Sequence, residues 1–172
     1  MKDDFVKPIA ILTIICLIVS GALSLTNGAT APIIEMAEAE RQVIAMSAII
    51  PEATGFERIE DVAFPRTIRD AYRTDNDVGY IIITSINGFS GEVRVICGID
   101  TDGNIISSAT LQHSETKGIG DILDRESWTD QFDGKDSRLE GVSTVSGATI
   151  STTAYMNAIR EAFAAFELVR EV

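Results

Sequence analysis

The residues with the strongest chemical implication are Val145 to Ala154, reading VSGATISTTA. Gly147 and Ala148 are small, so a bulky ligand can approach the main chain closely there. Thr149 follows, directly before a helical pattern that opens with Ile150, Ser151 and Thr152. A phosphate on the Thr149 hydroxyl would meet the free N–H groups of that helix's first turn, aided by the helix dipole and the nearby hydroxyls. The plain alternative is a serine/threonine helix cap. A Ser/Thr-Gly-Ala-Ser/Thr string arises by chance in roughly one chain in a hundred of this size, given average residue usage. Two similar strings are present. Asn27-Gly28-Ala29-Thr30 adjoins the apolar N-terminus, and Ser107-Ser108-Ala109-Thr110 lies inside a strand pattern. Neither opens a helix beside a folded pocket.

Other chemistries are poorly provided for. The chain has 2 cysteines and 1 histidine. Cys16 lies in the apolar N-terminal run and Cys97 in a strand pattern, so they do not pair. No Cys/His spacing matches a metal site, and an iron–sulfur cluster lacks ligands. Redox chemistry therefore requires an organic cofactor. No GxGxxG follows a strand and no Walker A string occurs, which excludes the usual nicotinamide and nucleotide loops. With 26 acidic against 14 basic residues the net charge is −12, and no Lys/Arg cluster stands out. That excludes a nucleic-acid binder and suits a solvated face or a basic partner.

The elements that must position Thr149 follow from periodicity. Ala31 to Ile50 has apolar residues at helical spacing and is stopped by Pro51. Phe56 to Phe64 and Thr67 to Tyr72 read as short strands around Pro65. Gly79 to Ser85 is a β-branched strand, Asn87-Gly88 a turn, and Gly91 to Ile99 an alternating strand with Val93, Val95 and Cys97 on one face and Arg94 on the other. Asp102-Gly103 is a second hairpin signal, before the strand Asn104 to Leu111. After this antiparallel meander comes a glycine-punctuated loop, His113 to Asp121 (HSETKGIGD), then a short helix over Ile122 to Trp128 and a loop holding Lys135. Gly141 to Ser146 is strand-like. Ser151 to Val169 predicts a helix with Tyr155, Ile159, Ala162, Phe166 and Val169 on one stripe. The fold class is α+β: a small antiparallel sheet with packed helices.

Pro8 to Leu25 reads PIAILTIICLIVSGALSL, free of charge and about one bilayer thickness of helix. Lys2 and Lys7 precede it, and the first basic residue after it is Arg41. This bias places the N-terminus in the cytoplasm and the rest outside. The rival is a cleaved signal peptide ending near Ser20-Gly21-Ala22, but the run exceeds a usual h-region. The expected organisation is a cytoplasmic stub and transmembrane anchor over residues 1–27 and an extracytoplasmic domain over 28–172.

SGATIST, HSETKGIG, the GYIII, GFSGEV and GID strands and the single anchor stand here in the order of one family. The chain resembles the FMN-binding domain proteins, and within them the G subunits of the Rnf ferredoxin:NAD oxidoreductase complexes; the C subunit of the sodium-translocating NADH:quinone reductase is a longer relative. The resemblance covers nearly the whole chain. It implies FMN held by a phosphoester on Thr149, with Ser146, Gly147 and Ala148 completing the motif, attached outside the cytoplasm by a flavin transferase that uses FAD. It implies a pocket loop made by His113, Glu115, Thr116, Gly118, Ile119 and Gly120, with Ile119 where the family usually has leucine. Ser143 stands where the family usually has an aspartate, a position tied to transferase recognition. His113 is a hydrogen-bond candidate toward the flavin or its phosphate, Lys135 a weaker phosphate partner, and Trp128 and Tyr80 are core residues. The implied function is electron transfer within an ion-translocating (sodium or proton) membrane complex whose other subunits bind ferredoxin and nicotinamide. The alternatives are a stand-alone extracytoplasmic flavin carrier that passes electrons to a cytochrome or another terminal acceptor, and a non-redox binding or assembly domain.

Overall fold

The computed structural model describes residues 2–170. The chain divides into two units between Gln42 and Val43. Helix α1 (Lys2–Ile49) runs through 48 residues, so the apolar run and the amphipathic segment expected after it form one helix. Asn27-Gly28 does not interrupt it. The hydroxyls of Thr26 and Thr30 bond back to Ala22 O and Thr26 O, each at 2.9 Å, satisfying the polar side chains inside the helix. Pro51 stops it as expected, after Ile50 N–H has bonded Met46 O at 3.0 Å. Lys7–Ile49 is the one helix among the described residues long and apolar enough to cross a membrane, and its apolar side chains from Ile9 to Leu25 are exposed. An exposed apolar surface of that length suits the lipid interior.

The second unit is a five-stranded antiparallel meander in the order β1-β2-β3-β4-β5. The strands are β1 (Phe56–Arg58), β2 (Ile68–Thr74), β3 (Gly79–Asn87), β4 (Glu92–Asp100) and β5 (Ile105–His113). The first strand is shorter than the pattern suggested, since only three residues find ladder partners on β2. Asn87-Gly88 and Asp102-Gly103 both serve as hairpin turns, the second fixed by the Asp100 carboxylate, which accepts the N–H groups of Asp102 and Asn104 at 2.9 and 2.8 Å. After β5 the expected single helix resolves into a 3-10 turn (Gly120–Asp124) and a one-turn helix α2 (Glu126–Thr129). Gly141 to Ser146 is not a strand. Its backbone is tied by side chains instead, Ser143 N–H donating to Gln131 Oε1 at 2.9 Å and Ser143 O accepting Trp128 Nε1–H at 3.2 Å.

Helix α3 (Thr149–Arg170) lies on one face of the sheet. Its buried stripe of Tyr155, Ile159, Ala162 and Phe166 meets Ile82, Val93, Val95, Cys97 and Ile99. Alternation with period 2 on β4 and 3.6 on α3 is what lets these residues converge. Trp128 and Phe132 close this core edge-on against each other, and Tyr80 meets Phe166 at a 5.5 Å centroid distance, so both Trp128 and Tyr80 are structural. The one buried hydroxyl of α3 that crosses to the sheet is Tyr155 O–H, which donates to Ser108 Oγ at 3.0 Å.

The last turns of α1 cover the other face, where Met46, Ile49 and Ile50 pack on Ile81, Ile83 and Ile96. Gly98 makes this approach possible, because a Cβ there would sit 2.5 Å from Ile49 Cγ2 and 3.1 Å from Ile50 Cγ1. We expect Gly98→Val to lower stability by about 2 kcal/mol, the usual scale of overpacking. Thermal unfolding of the detergent-purified chain measures it, and an unchanged midpoint would mean that this contact is loose.

Candidate functional site

The sheet and α3 together bring the two chemically notable segments to one place. A cavity of about 300 Å³ is lined by Phe89, Glu115, Thr116, Ile119 and the run Gly147 to Ser151. Three elements build it: the β3–β4 hairpin turn, the loop after β5, and the N-terminus of α3.

Glu115 fastens these three together. Although ionisable, it is only 8% exposed. Its Oε1 accepts the backbone N–H groups of Phe89 at 2.8 Å and Ser90 at 3.1 Å, and its Oε2 accepts Ser151 Oγ–H from α3. Burial works against its charge, but the hydrogen bonds from Ser151, Ser90, Phe89 and Gly91 outweigh that and hold its carboxyl below the usual glutamate range. The loop must pass very close to this side chain. A Cβ at Gly120 would lie 2.1 Å from Glu115 Cβ, so glycine is required there. Thr116 adds a hydroxyl pair with Ser90 at 3.0 Å.

The start of α3 is open and polar. The chain turns into the helix through Gly147, whose φ of +88° suits glycine alone and whose Cα faces free space. Ala148 N–H bonds Val145 O at 3.0 Å, and the first N–H of the helical ladder is that of Thr152, to Ala148 O at 2.9 Å. The N–H groups of Thr149, Ile150 and Ser151 therefore precede the ladder. No acidic residue stands in this first turn to neutralise them. Thr149 is exposed, and its Oγ1 makes only a long contact with Val145 O at 3.5 Å.

These features fit a flavin mononucleotide. Free helix N–H groups and hydroxyls suit a phosphate. Phe89, Ile119 and Ile150, exposed by 67, 52 and 56%, give the cavity apolar walls suited to a planar aromatic ring. Such large apolar side chains left in water around one cavity are otherwise unfavourable.

The sequence expectations divide accordingly. Glu115, Thr116, Ile119, Gly147, Ala148 and Thr149 line the cavity, while His113, Ser146, Gly118 and Gly120 do not. Gly118 and Gly120 shape the loop. His113 faces inward along it: Nδ1 accepts Glu115 N–H at 3.1 Å and Nε2 meets Asp124 Oδ2 at 3.0 Å. Lys135 is held through its backbone against Ile105 and lies outside the cavity lining. Sequence reasoning does not mark Phe89, Ile150 and Ser151 as site residues, although they line the cavity. Phe89 carried a usable signal, a large aromatic at the tip of the polar turn Asn87-Gly88-Phe89-Ser90-Gly91. Both similar strings are disqualified, since Thr30 is inside α1 and Thr110 Oγ1 donates to Leu123 O at 2.8 Å. Cys97 is inert as well; burial pushes its thiol far above the ordinary range.

Residues 88–164, which hold every cavity-lining residue, match the model of the FMN-binding domain. Over 154 residues the chain is 32% identical to the G subunit of the Na(+)-translocating ferredoxin:NAD(+) oxidoreductase complex of Acetobacterium woodii, covering 81% of this chain and 73% of that protein. It is 28% identical over 176 residues to the G subunit of the ion-translocating oxidoreductase complex of Methanosarcina acetivorans, covering 94% of each chain. A third relative, the protein of the same description from Shewanella baltica, is 27% identical over 189 residues, covering 94% of this chain and 89% of its own. The chain belongs to this family, the FMN-binding G subunits of ion-translocating oxidoreductase complexes.

Proposed function

We propose that this protein is the electron-transfer subunit of a membrane complex that couples electron flow between ferredoxin and NAD to the translocation of sodium ions or protons, with FMN esterified to Thr149. The carrying observation is the exposed Thr149 hydroxyl at the edge of an apolar-walled cavity and beside the unladdered N–H groups of α3. Membership of the G-subunit family supports the complex and its other subunits as partners. When bound, FMN supplies the electron-accepting and electron-donating chemistry.

The chain's own residues hold and orient. Thr149 Oγ1 is the attachment atom. On a flavin transferase with FAD as donor, this oxygen would form a new O–P bond to the FMN-side phosphorus as the pyrophosphate P–O bond broke, with AMP and the hydroxyl proton leaving. The N–H groups of Thr149, Ile150 and Ser151 offset the phosphate charge. Phe89, Ile119 and Ile150 would wall the flavin ring off from water. Glu115 keeps the three walls in register.

The apolar run from Pro8 to Leu25, within the long helix Lys7–Ile49, serves as the anchor in this reading. Lys2 and Lys7 place its N-terminus in the cytoplasm, so residues 1–27 form stub and anchor and 28–172 the extracytoplasmic, flavin-bearing part. Covalent attachment suits that compartment, where a dissociated cofactor would be lost.

The test is flavin fluorescence of the full chain in a denaturing gel, after export in cells supplying an active flavin transferase. A fluorescent band at the mass of the chain is expected. A dark band, with a control substrate flavinylated in the same cells, would overturn covalent attachment and bring the Ser143 departure into question.

A further inference from the structure

We propose that His113 is a positioning residue of the flavin site, acting as a neutral imidazole whose unprotonated Nδ1 holds the Glu115 loop in its pocket-forming geometry. The inference rests on the FMN reading of the cavity above. It moves His113 from a direct flavin contact to a role exerted through Glu115.

The geometry decides the tautomer. Glu115 N–H donates to His113 Nδ1 at 3.1 Å, so Nδ1 carries no proton. The ring proton is then on Nε2, where it donates to Asp124 Oδ2 at 3.0 Å. Asp124 ends the 3-10 turn that follows the loop, and His113 ends β5. The imidazole thus braces the loop at both ends. Its side chain is 13% exposed, so water competes poorly at Nδ1, while the contact at Nε2 lies against the 56% exposed Asp124 at the surface. The residue it grips is the one whose carboxylate ties Phe89, Ser90 and Ser151 together. A shift of the Glu115 backbone is therefore passed to all three cavity walls.

Asparagine and glutamine separate the two contacts. In His113→Asn the amide oxygen takes the place of Nδ1 and retains the acceptor for Glu115 N–H. In His113→Gln the longer amide reaches Asp124 but leaves Glu115 N–H without its acceptor. The experiment uses the full flavinylated chain in detergent. It reads native-state hydrogen exchange of the Glu115, Phe89 and Ser90 amides, together with the visible circular dichroism of the bound flavin. We expect Glu115 N–H to exchange roughly tenfold faster in His113→Gln, the effect of losing one partly buried hydrogen bond. The flavin band should change with it. In His113→Asn both readouts should stay close to wild type.

Equal behaviour of the two variants, whether both are normal or both perturbed, would overturn the inference. Should His113→Gln not fold, the ring nitrogen shifts of the wild-type histidine still decide it, since a protonated Nδ1 refutes the assigned tautomer. A wild-type chain without flavin would instead count against the proposed function. The amide exchange of the two variants would then still report on His113 by itself.

Discussion

Thr149→Ala should abolish the covalent flavin completely, while Thr149→Ser should keep it. Intact-mass measurement of the full chain, expressed beside an active flavin transferase, reads the outcome directly. The wild type and the serine variant should each gain one FMN less one water, and the alanine variant nothing. The effect is all or none because the alanine side chain has no oxygen to form the ester. The fold should not suffer. Thr149 is exposed and its hydroxyl makes one 3.5 Å contact with Val145 O, so its removal should change stability by less than about 0.5 kcal/mol. Unchanged unfolding beside a lost adduct would separate chemistry from structure. Retention of the adduct in Thr149→Ala would move the attachment to another hydroxyl, with the exposed Ser146 and Thr153 nearby and Ser151 and Thr152 in the same turn. Ser151 and Thr152 are buried, Ser151 committed to Glu115 and Thr152 to Ala148 O at 2.9 Å. Thr149 alone among the three hydroxyls of this turn faces outward.

Glu115→Ala should be the most damaging single change in the site. It leaves Phe89 N–H, Ser90 N–H and Ser151 Oγ–H without their shared acceptor. Each such donor costs roughly 1–3 kcal/mol when buried, less where water reaches the opened turn, so a combined loss of about 3 kcal/mol is expected. The flavin should report it too, with stronger fluorescence as the hairpin turn and the start of α3 separate. Glu115→Gln preserves one acceptor oxygen but sets an NH₂ group against a donor, so an intermediate loss is expected. Acid should reproduce part of the effect. The folded-state pKa of Glu115 is depressed, so its contribution is complete above the unfolded glutamate value of about 4.3 and disappears as pH falls below that through the folded value. Unfolding followed from pH 7 downward should therefore lose its Glu115-dependent part only in that acid window, and Glu115→Gln should flatten it. A variant that keeps wild-type stability and flavin spectrum would mean that the three walls are held by other contacts.

The local alphabet of the chain made much of this legible. Eighteen residues without a charge, from Pro8 to Leu25, mark a candidate membrane span, because so long an apolar surface is best satisfied by lipid. The alternation of Val93, Val95 and Cys97, the Asp102-Gly103 turn and the stripe from Tyr155 to Val169 specify strands and helix through periods that a single element imposes. The Ser-Gly-Ala-Thr string at a helix start marks Thr149, since small residues, a hydroxyl and free N–H groups are all local properties.

What the sequence left open depended on partners distant along the chain. The strand pattern at Gly141 to Ser146 failed because a strand needs a ladder partner, and Gln131 and Trp128 occupy that backbone instead. α1 continued past Asn27-Gly28 because the surrounding residues sustain the helix and the Thr26 and Thr30 hydroxyls are satisfied within it. His113 sits near the flavin loop in sequence, but only folding turns its ring toward Glu115 N–H and Asp124. The sequence shows Glu115 as a loop residue; that its carboxylate joins a turn 25 and 26 residues upstream to a helix 36 residues downstream cannot be read from any local pattern. The proposed attachment at Thr149 rests on neighbours in sequence, so its signal is local. The cavity that would hold the ring is set by three segments meeting, and its walls exist only once the sheet and α3 have brought Phe89, Ile119 and Ile150 together.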